Sequence, residues 1–107
     1  MDVGMAVIQL KPNSMDQVKN WQETLQFRKD EAIATLKSEG VHIESWFHLE
    51  LDGKDYLVAY MRADDIAEAQ KIAKLSPFAI DQVHKAFKQN WAKGYKANLL
   101  LDLVNNE

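Results

Sequence analysis

A histidine stands in the middle of an apolar helix pattern near the end of the chain. In the segment SPFAIDQVHKAFKQNW, residues 76–91, Ile80, Val83 and Phe87 recur with helical spacing, and His84 falls in the same sector. An imidazole has an ordinary pKa of about 6.5, so it can give or accept a proton near neutrality. His84 is therefore a candidate acid–base residue or ligand in a cleft between helix and sheet. The alternative is a core histidine satisfied by hydrogen bonds.

Two charged residues flank His84 on the same predicted helix. Asp81 precedes it by one turn and Lys88 follows it by one turn. Asp81 and Lys88 would shift the imidazole pKa in opposite senses. A carboxylate at that spacing can orient an imidazole for proton transfer, which makes Asp81 a candidate catalytic partner. A solvated contact on the helix surface is the alternative.

Glu44 is a second candidate acid–base residue because strand interiors disfavour glutamate. It lies within the alternating run VHIESWFHLEL, residues 41–51, two positions before Trp46. If Glu44 faces the cleft opposite His84, the two side chains can share a proton or hold a small polar ligand. If it faces the other side of the sheet, a paired charge at a subunit interface is expected instead.

Three aromatic residues are candidates for the walls of a ligand site: Trp46, Tyr60 and Trp91. Each combines a large apolar ring with one polar atom. The alternative for all three is an ordinary aromatic core.

Metal chemistry has little support in the sequence. The chain has no cysteine, which excludes a disulfide framework, a thiolate metal site and a cysteine nucleophile. His42 and His48 share a strand face, but at ~3.3 Å per residue they lie too far apart to bind one ion. No metal site is predicted, and the sequence requires no cofactor.

The composition indicates an ordinary globular protein and excludes some partners. Of 107 residues, 47% are hydrophobic and 27% charged, with a formal net charge of −3. This balance argues against nucleic acid and anionic membranes as partners. The N-terminal MDVGMAVIQLK lacks the positive region of a secretory signal, and no apolar run reaches the length of a membrane span. We expect a cytoplasmic protein.

The order of predicted elements indicates the fold. A strand over Val3–Lys11 precedes a long helix over Met15–Glu39, with Gly40 at its end. Strands over Val41–Leu51 and 56–62 flank a hairpin turn at Asp52-Gly53.

A second helical region begins near Asp65, is kinked at Ser76-Pro77 and ends at Gly94. The last strand is predicted over 96–104. The sequence therefore predicts one α+β domain, residues 1–107. Its order βαββαβ is the ferredoxin-like one, with a four-stranded antiparallel sheet and the helices on one face.

Both faces of this sheet are predicted to be apolar. With Leu51 paired to Lys54 across the turn, one face carries Val41, Ile43, Ser45, Phe47, Leu49, Tyr56, Val58 and Tyr60. The other carries His42, Glu44, Trp46, His48, Leu57, Ala59 and Met61. Helices can cover one such face, and a second subunit is expected to cover the other. The pattern predicts a homodimer that forms through the open sheet face.

The sequence resembles the dimeric α+β barrel superfamily, in which two ferredoxin-like sheets pack face to face. Within it, the chain is similar to a family catalogued as a domain of unknown function. The matching pieces are LKPNSMDQVKNW, VHIESWF, YLVAYM and DQVHKAF. The superfamily includes antibiotic-biosynthesis-type monooxygenases, muconolactone-type isomerases and haem proteins, so fold alone does not select an activity.

Two hypotheses about function follow. The first is a small-molecule enzyme of the monooxygenase or isomerase type, with His84 as acid–base residue, Asp81 and Glu44 beside it, and Trp46, Tyr60 and Trp91 at the ligand. The resemblance also admits haem, which a lone histidine does not favour. The second hypothesis is a non-catalytic homodimer that binds a ligand or partner, with His84 and Glu44 in structural roles.

Overall fold

The computed structural model, which describes residues 1–105, is built around one antiparallel sheet of four strands. The elements are β1 (Asp2–Leu10), α1 (Met15–Phe27), α2 (Lys29–Glu39), β2 (Val41–Leu51), β3 (Lys54–Ala63), α3 (Ile66–Lys74), α4 (Ala79–Phe87) and β4 (Trp91–Ala97). The strands lie in the order β2-β3-β1-β4. Because β1 and β3 are the central strands and helices separate β1 from β2 and β3 from β4, this is the predicted ferredoxin-like arrangement.

The helices pack against the sheet face that carries Ile8 of β1 and Leu57 of β3, which are direct partners across the ladder. Trp21 of α1 and Phe87 of α4 are buried against these strand residues. A smaller cluster near the other end of the sheet contains Ala69 of α3. Burying a large side chain stabilises a fold by roughly 1.5–3 kcal/mol. The apolar layer between sheet and helices therefore supplies most of the stability.

The predicted long helix over Met15–Glu39 is two helices in the structure. It breaks at Arg28, whose φ of −104° and ψ of 37° leave the helical region. Arg28 is then held by Glu31, whose carboxylate accepts its Nε–H at 2.7 Å. The apolar periodicity continues across Arg28, so the sequence gives no signal that the helix breaks there. Gly40 ends α2 with φ of 71°, as predicted for a glycine at that position.

The boundaries around α4 differ from those predicted. Ser76 is not the N-cap, because α4 begins at Ala79 and Phe78 occupies the N-cap position. The Oγ of Ser76 accepts the backbone N–H of Phe78 just before the helix. Gly94 does not end the helix either, since it lies within β4. A turn of 3₁₀ helix over Lys88–Asn90 ends the helical region and lets the chain pair with β1. Trp91 is therefore the first residue of a strand and not part of the helix.

The last strand also begins earlier than the predicted 96–104. β4 pairs with β1 from Trp91 opposite Leu10 to Ala97 opposite Met5, and residues 98–105 form no strand. Asp102 holds this final segment to the sheet through an ion pair with Arg62 of β3 at 2.6 Å. The apolar run at Leu99–Leu101 resembles a strand in composition, but it is largely exposed.

The register of β2 against β3 assigns the two sheet faces largely as predicted. Trp46 lies opposite Ala59 on the helix-covered face, and Phe47 lies opposite Val58 on the open face. The exception is a bulge between Val41 and Ile43, which turns Val41 onto the helix-covered face. The hairpin turn is as predicted, with Leu51 opposite Lys54.

The open face carries exposed apolar side chains from three strands: Met5, Ile43, Phe47, Leu49 and Tyr95. Monomeric proteins rarely leave a contiguous apolar face of this kind in water. Among residues 1–105, no helix combines the length and apolar character that a membrane span requires.

Candidate functional site

His84 sits where α4 crosses above the sheet, and a tryptophan holds it. The indole Nε1–H of Trp21 in α1 donates a hydrogen bond to Nδ1 of His84 at 3.1 Å. The two residues are brought together because Val18 and Trp21 bury one side of α1 while Ile80 and Phe87 bury one side of α4. The hydrogen bond to the imidazole therefore comes from Trp21 and not from Asp81.

This hydrogen bond assigns the tautomer of His84. An indole N–H can only donate, so Nδ1 must present a lone pair and the proton of the neutral imidazole must reside on Nε2. If Nδ1 carried a proton, its N–H would point at the indole N–H of Trp21, and two donors cannot form a hydrogen bond with each other. His84 is thereby arranged as a neutral hydrogen-bond donor through Nε2.

The three tryptophans of the chain gather around His84. The ring of Trp46 stands edge-on to His84 with centroids 5.5 Å apart, and that of Trp91 stands edge-on at 6.1 Å. Trp21 packs edge-on against Trp46 at 5.1 Å and stacks on Phe87 at 4.6 Å. The imidazole therefore lies in an aromatic, weakly polar environment in which its charged form is poorly solvated.

The pKa of His84 is lowered from about 6.5 to about 4. Burial is the largest cause, the ammonium of Lys88 lowers the pKa further, and the carboxylate of Asp81 raises it in part. The imidazole is therefore neutral at physiological pH. A proton acceptor for chemistry near pH 7 has to be sought elsewhere in the site.

Two glutamates close to Asp81 have raised pKa values. Glu44 keeps some solvent-accessible surface, yet the protein atoms around its carboxylate desolvate it and raise its pKa, against an opposing hydrogen bond from Trp46. The pKa of Glu39, in the last turn of α2, is raised to about 7 by burial and by the charges of Asp81 and Glu44. Three carboxylates thus converge from α2, β2 and α4, and at least one proton is held among them near neutrality.

Two polar atoms of this cluster are buried without a hydrogen-bond partner: Oδ2 of Asp81, an acceptor, and Nε1 of Trp91, a donor. A buried unsatisfied polar group costs about 1–3 kcal/mol, so such atoms call for an explanation. Asp81 and His84 line a cleft of about 270 Å³ between α3 and α4.

The structure brings five of the six predicted site residues together: His84, Asp81, Glu44, Trp46 and Trp91. It does not bring Tyr60 to them. Tyr60 pairs with Ser45 on the open face of the sheet, and its hydroxyl accepts the Nε–H of Arg62. Alternation along β3 explains this, because Ala59 and Met61 take the helix-covered face.

Sequence reasoning missed two contributors to the site. Trp21 is a core residue of α1, and nothing local to α1 indicates that it meets His84. Glu39 did carry a signal, because an anion in the last turn of a helix opposes the helix dipole. Its position immediately before Gly40 is therefore unfavourable for stability and indicates another role.

The other two histidines are ion-paired outside the site. Nε2 of His42 lies 2.7 Å from Asp64, and Nε2 of His48 lies 2.8 Å from Asp55. Among residues 1–105, no group of three or more His, Asp and Glu side chains is arranged to hold a metal ion. A second depression, at residues 27–31, lies at the break between α1 and α2 and is remote from His84.

The raised pKa of Glu39 predicts how stability depends on pH. Its folded-state pKa of about 7 exceeds its ordinary value of 4.5. The stabilisation from protonated Glu39 is therefore fully present below about pH 4.5 and is lost as the pH rises through about 7. His84 has the opposite sign, since its contribution is present above about pH 6.5 and is lost as the pH falls through about 4.

We expect Glu39→Gln to stabilise the protein by about 1 kcal/mol at pH 8 and by almost nothing at pH 4.5; the effect is limited because water screens a partly exposed carboxylate. Urea denaturation at the two pH values measures it. Glu23→Gln, at an exposed position of α1, is the matched control and should change nothing at either pH. Equal effects of Glu39→Gln at both pH values would contradict the raised pKa of Glu39 in the carboxylate cluster.

The sheet with its helices on one face, and the open cleft between α3 and α4 that Asp81 and His84 line, define a ferredoxin-like α+β protein with a candidate ligand site. The chain belongs to a family of unknown function (DUF6176), whose model matches residues 1–106. A search of curated proteins finds no match.

Solved structures with the same fold cover nearly the whole chain. Tetracenomycin F2 cyclase from Streptomyces glaucescens, a type-II polyketide cyclase, is 17% identical with a TM-score of 0.65, over 98% of this chain and 99% of that one. A dimeric ferredoxin-like protein from an uncultured marine organism is 11% identical with a TM-score of 0.63, over 97% and 91%. An antibiotic biosynthesis monooxygenase is 16% identical with a TM-score of 0.58, over 96% and 98%. At these identities the likeness confirms the predicted fold and no more.

Proposed function

We propose that the protein is a small-molecule enzyme that removes a proton from a carbonyl compound in the cleft at His84. The observation that carries this proposal is the contrast between two neighbouring groups. His84 is a neutral imidazole fixed as a donor by Trp21, and Glu44 is a carboxylate with a raised pKa. Enolisation needs a hydrogen-bond donor to the carbonyl oxygen and a base that removes the proton from the adjacent carbon, and a raised pKa makes a carboxylate a stronger base.

The two residues have separate roles in this reaction. The Nε2–H of His84 donates to the carbonyl oxygen of the substrate. The carboxylate of Glu44 takes a proton from the adjacent carbon, the electron pair of the C–H bond forms a C=C bond, and the negative charge moves to the oxygen. Burial raises the pKa of Glu44, and repulsion from the carboxylate of Asp81 raises it further. The sequence suggested His84 as the acid–base residue; in this proposal it is the donor, and Glu44 is the base.

The fold neighbours support this class of reaction. One is described as a polyketide cyclase and another as an antibiotic biosynthesis monooxygenase. Cyclisation, isomerisation and oxygenation of a carbonyl compound can all begin with an enolate, so one initial step serves each of them. The hydrogen bond that occupies Nδ1 of His84 also disfavours haem ligation through that atom.

We further propose that the protein works as a homodimer. The open face of the sheet, which carries Phe47, faces a second copy of the same face, and the segment 98–105 extends the contact. The support is the exposed apolar surface of β1, β2 and β4, together with a dimeric ferredoxin-like neighbour.

Deuterium exchange tests the proposed reaction. Aromatic 1,3-dicarbonyl compounds of one to three rings are incubated with the protein in D₂O, and loss of the signal of the carbon-bound proton is followed by NMR. We expect the protein to accelerate exchange of at least one compound by at least about 100-fold over buffer. Compounds that bind without accelerated exchange would contradict the enzyme and favour the alternative, a non-catalytic ligand-binding homodimer.

A further inference from the structure

Three lysines surround the opening of the cleft that contains His84. Lys74 ends α3, and Lys85 and Lys88 lie at the end of α4, so the two helices direct them to the same opening. Lys74 and Lys88 are exposed, whereas Oδ2 of Asp81 is buried within the cluster. The cleft is therefore positive at its opening and negative inside.

None of the three lysines forms a contact ion pair with another described residue. The ion pairs of residues 1–105 involve Arg28, Arg62, His42 and His48 instead.

The lysines contact neutral groups. Nζ of Lys85 donates to the backbone oxygen of Lys74 at 3.1 Å, and Nζ of Lys88 lies 5.3 Å from the ring centroid of Trp91. Lys88 also lowers the pKa of the Glu44 carboxylate, from beyond ion-pair distance. In a chain with 16 acidic residues and a net charge of −3, three lysines at one opening that form no contact ion pair with residues 1–105 indicate an anionic ligand.

We propose that the ligand of this cleft is an aromatic carboxylate. Its carboxylate binds at Lys74, Lys85 and Lys88, and its ring lies against His84, which lines the same cleft. The inference rests on the proposed function and names the substrate class of the same site. The cleft volume of about 270 Å³ limits the ligand to a small molecule.

Matched acids and amides test the requirement for the anion. The probes are 1-hydroxy-2-naphthoate and its neutral carboxamide, with the one-ring pair salicylate and salicylamide. Binding is followed through the indole N–H signals of the three tryptophans in ¹H–¹⁵N spectra, which report on this site directly. We expect each acid to bind about 10-fold more tightly than its amide at low salt, and this preference to weaken as salt is added.

Lysine variants locate the effect. Lys74→Gln and Lys88→Gln should each weaken binding of the acid by about 2–5-fold and leave binding of the amide unchanged, as expected for solvent-exposed charges. Lys71→Gln is the matched control, because Lys71 is an exposed lysine of α3 that does not line the cleft. It should bind both probes as the unmodified protein does.

Each outcome bears on a different claim. Amides that bind as tightly as acids, or variants at Lys74 and Lys88 that behave like Lys71→Gln, would overturn the anionic ligand and leave the proposed enzyme standing. Failure of every probe to move an indole signal would overturn the ligand class. Deuterium exchange of the uncharged 1,3-dicarbonyl compounds would then decide separately whether the proposed reaction survives.

Discussion

Replacing Glu44 with glutamine is expected to slow deuterium exchange of a bound 1,3-dicarbonyl compound by at least about 100-fold. Positioned acid–base groups contribute about 10²–10⁴-fold to rates, and the imidazole of His84 cannot take the place of the carboxylate. The pKa of His84 is lowered to about 4 and its Nδ1 already accepts the Trp21 N–H, so the imidazole is a weak base with no free lone pair.

The same substitution should leave the fold intact. Glutamine has nearly the shape of glutamate, and its neutral amide removes a charge that repels Asp81 and Glu39. We therefore expect stability in urea at pH 8 to be equal to or slightly above that of the unmodified protein. Loss of activity together with retained stability would separate a catalytic role for Glu44 from a structural one.

Glu50→Gln is the matched control for Glu44→Gln. Glu50 lies on the same strand near the hairpin and is exposed, so the chemical change is identical at a position outside the cluster. The Glu50→Gln variant should catalyse deuterium exchange of the substrate at the same rate as the unmodified protein. Retention of more than about a third of the activity in Glu44→Gln would contradict its role as the base.

Placing a charge at Phe47 is expected to dissociate the proposed homodimer. The ring is 58% exposed in the single chain and lies on the open face midway along the edge strand β2, where Val58 is its partner on β3. A glutamate buried there without a partner costs about 3–5 kcal/mol, which weakens association by more than about 100-fold. Sedimentation should show the unmodified protein at twice the chain mass of 12.3 kDa and Phe47→Glu at the chain mass itself.

Phe27→Glu provides the control for this experiment. Phe27 is 91% exposed at the end of α1, so the same substitution adds the same charge away from the open face. It should remain dimeric. A dimer that survives Phe47→Glu, or an unmodified protein that sediments as a single chain, would contradict association through the open face.

The sheet was predictable because its signals are local. Alternation places Glu44 and Trp46 on the face of Leu57, and the turn fixes the register. Asp52 and Gly53 have φ values of 52° and 75°, the geometry that an Asp-Gly hairpin favours. Once the turn is known, each residue of β2 has an assigned face up to the bulge at His42.

The errors occur where tertiary contacts override local pattern. The break at Arg28 lies within continuous helical periodicity, and the bulge at His42 changes the face of Val41 without any glycine or proline to announce it. The strand β4 was misplaced because its own sequence, WAKGYKA, is less apolar than the exposed segment after it. Pairing with β1, and not composition, decides which segment becomes the strand.

The candidate site was predictable only in part. Helical spacing alone predicts that Asp81 and His84 lie close together on α4, and strand alternation predicts that Glu44 and Trp46 share one face of β2. Whether the helix meets that face of the strand depends on topology, which sequence spacing does not contain. Trp21 and His84 are 63 residues apart in the sequence, so sequence spacing could not identify Trp21 as the residue that fixes the imidazole.

The ionisation state of His84 tests the account most directly. Long-range ¹H–¹⁵N spectra of the imidazoles distinguish the tautomers, and the spectrum of His84→Gln identifies the His84 signals. From about pH 5 to about pH 8, we predict a neutral ring with its proton on Nε2 throughout. An imidazole that titrates near its ordinary pKa, or one that carries its proton on Nδ1, would contradict a site in which Trp21 fixes His84 as a donor.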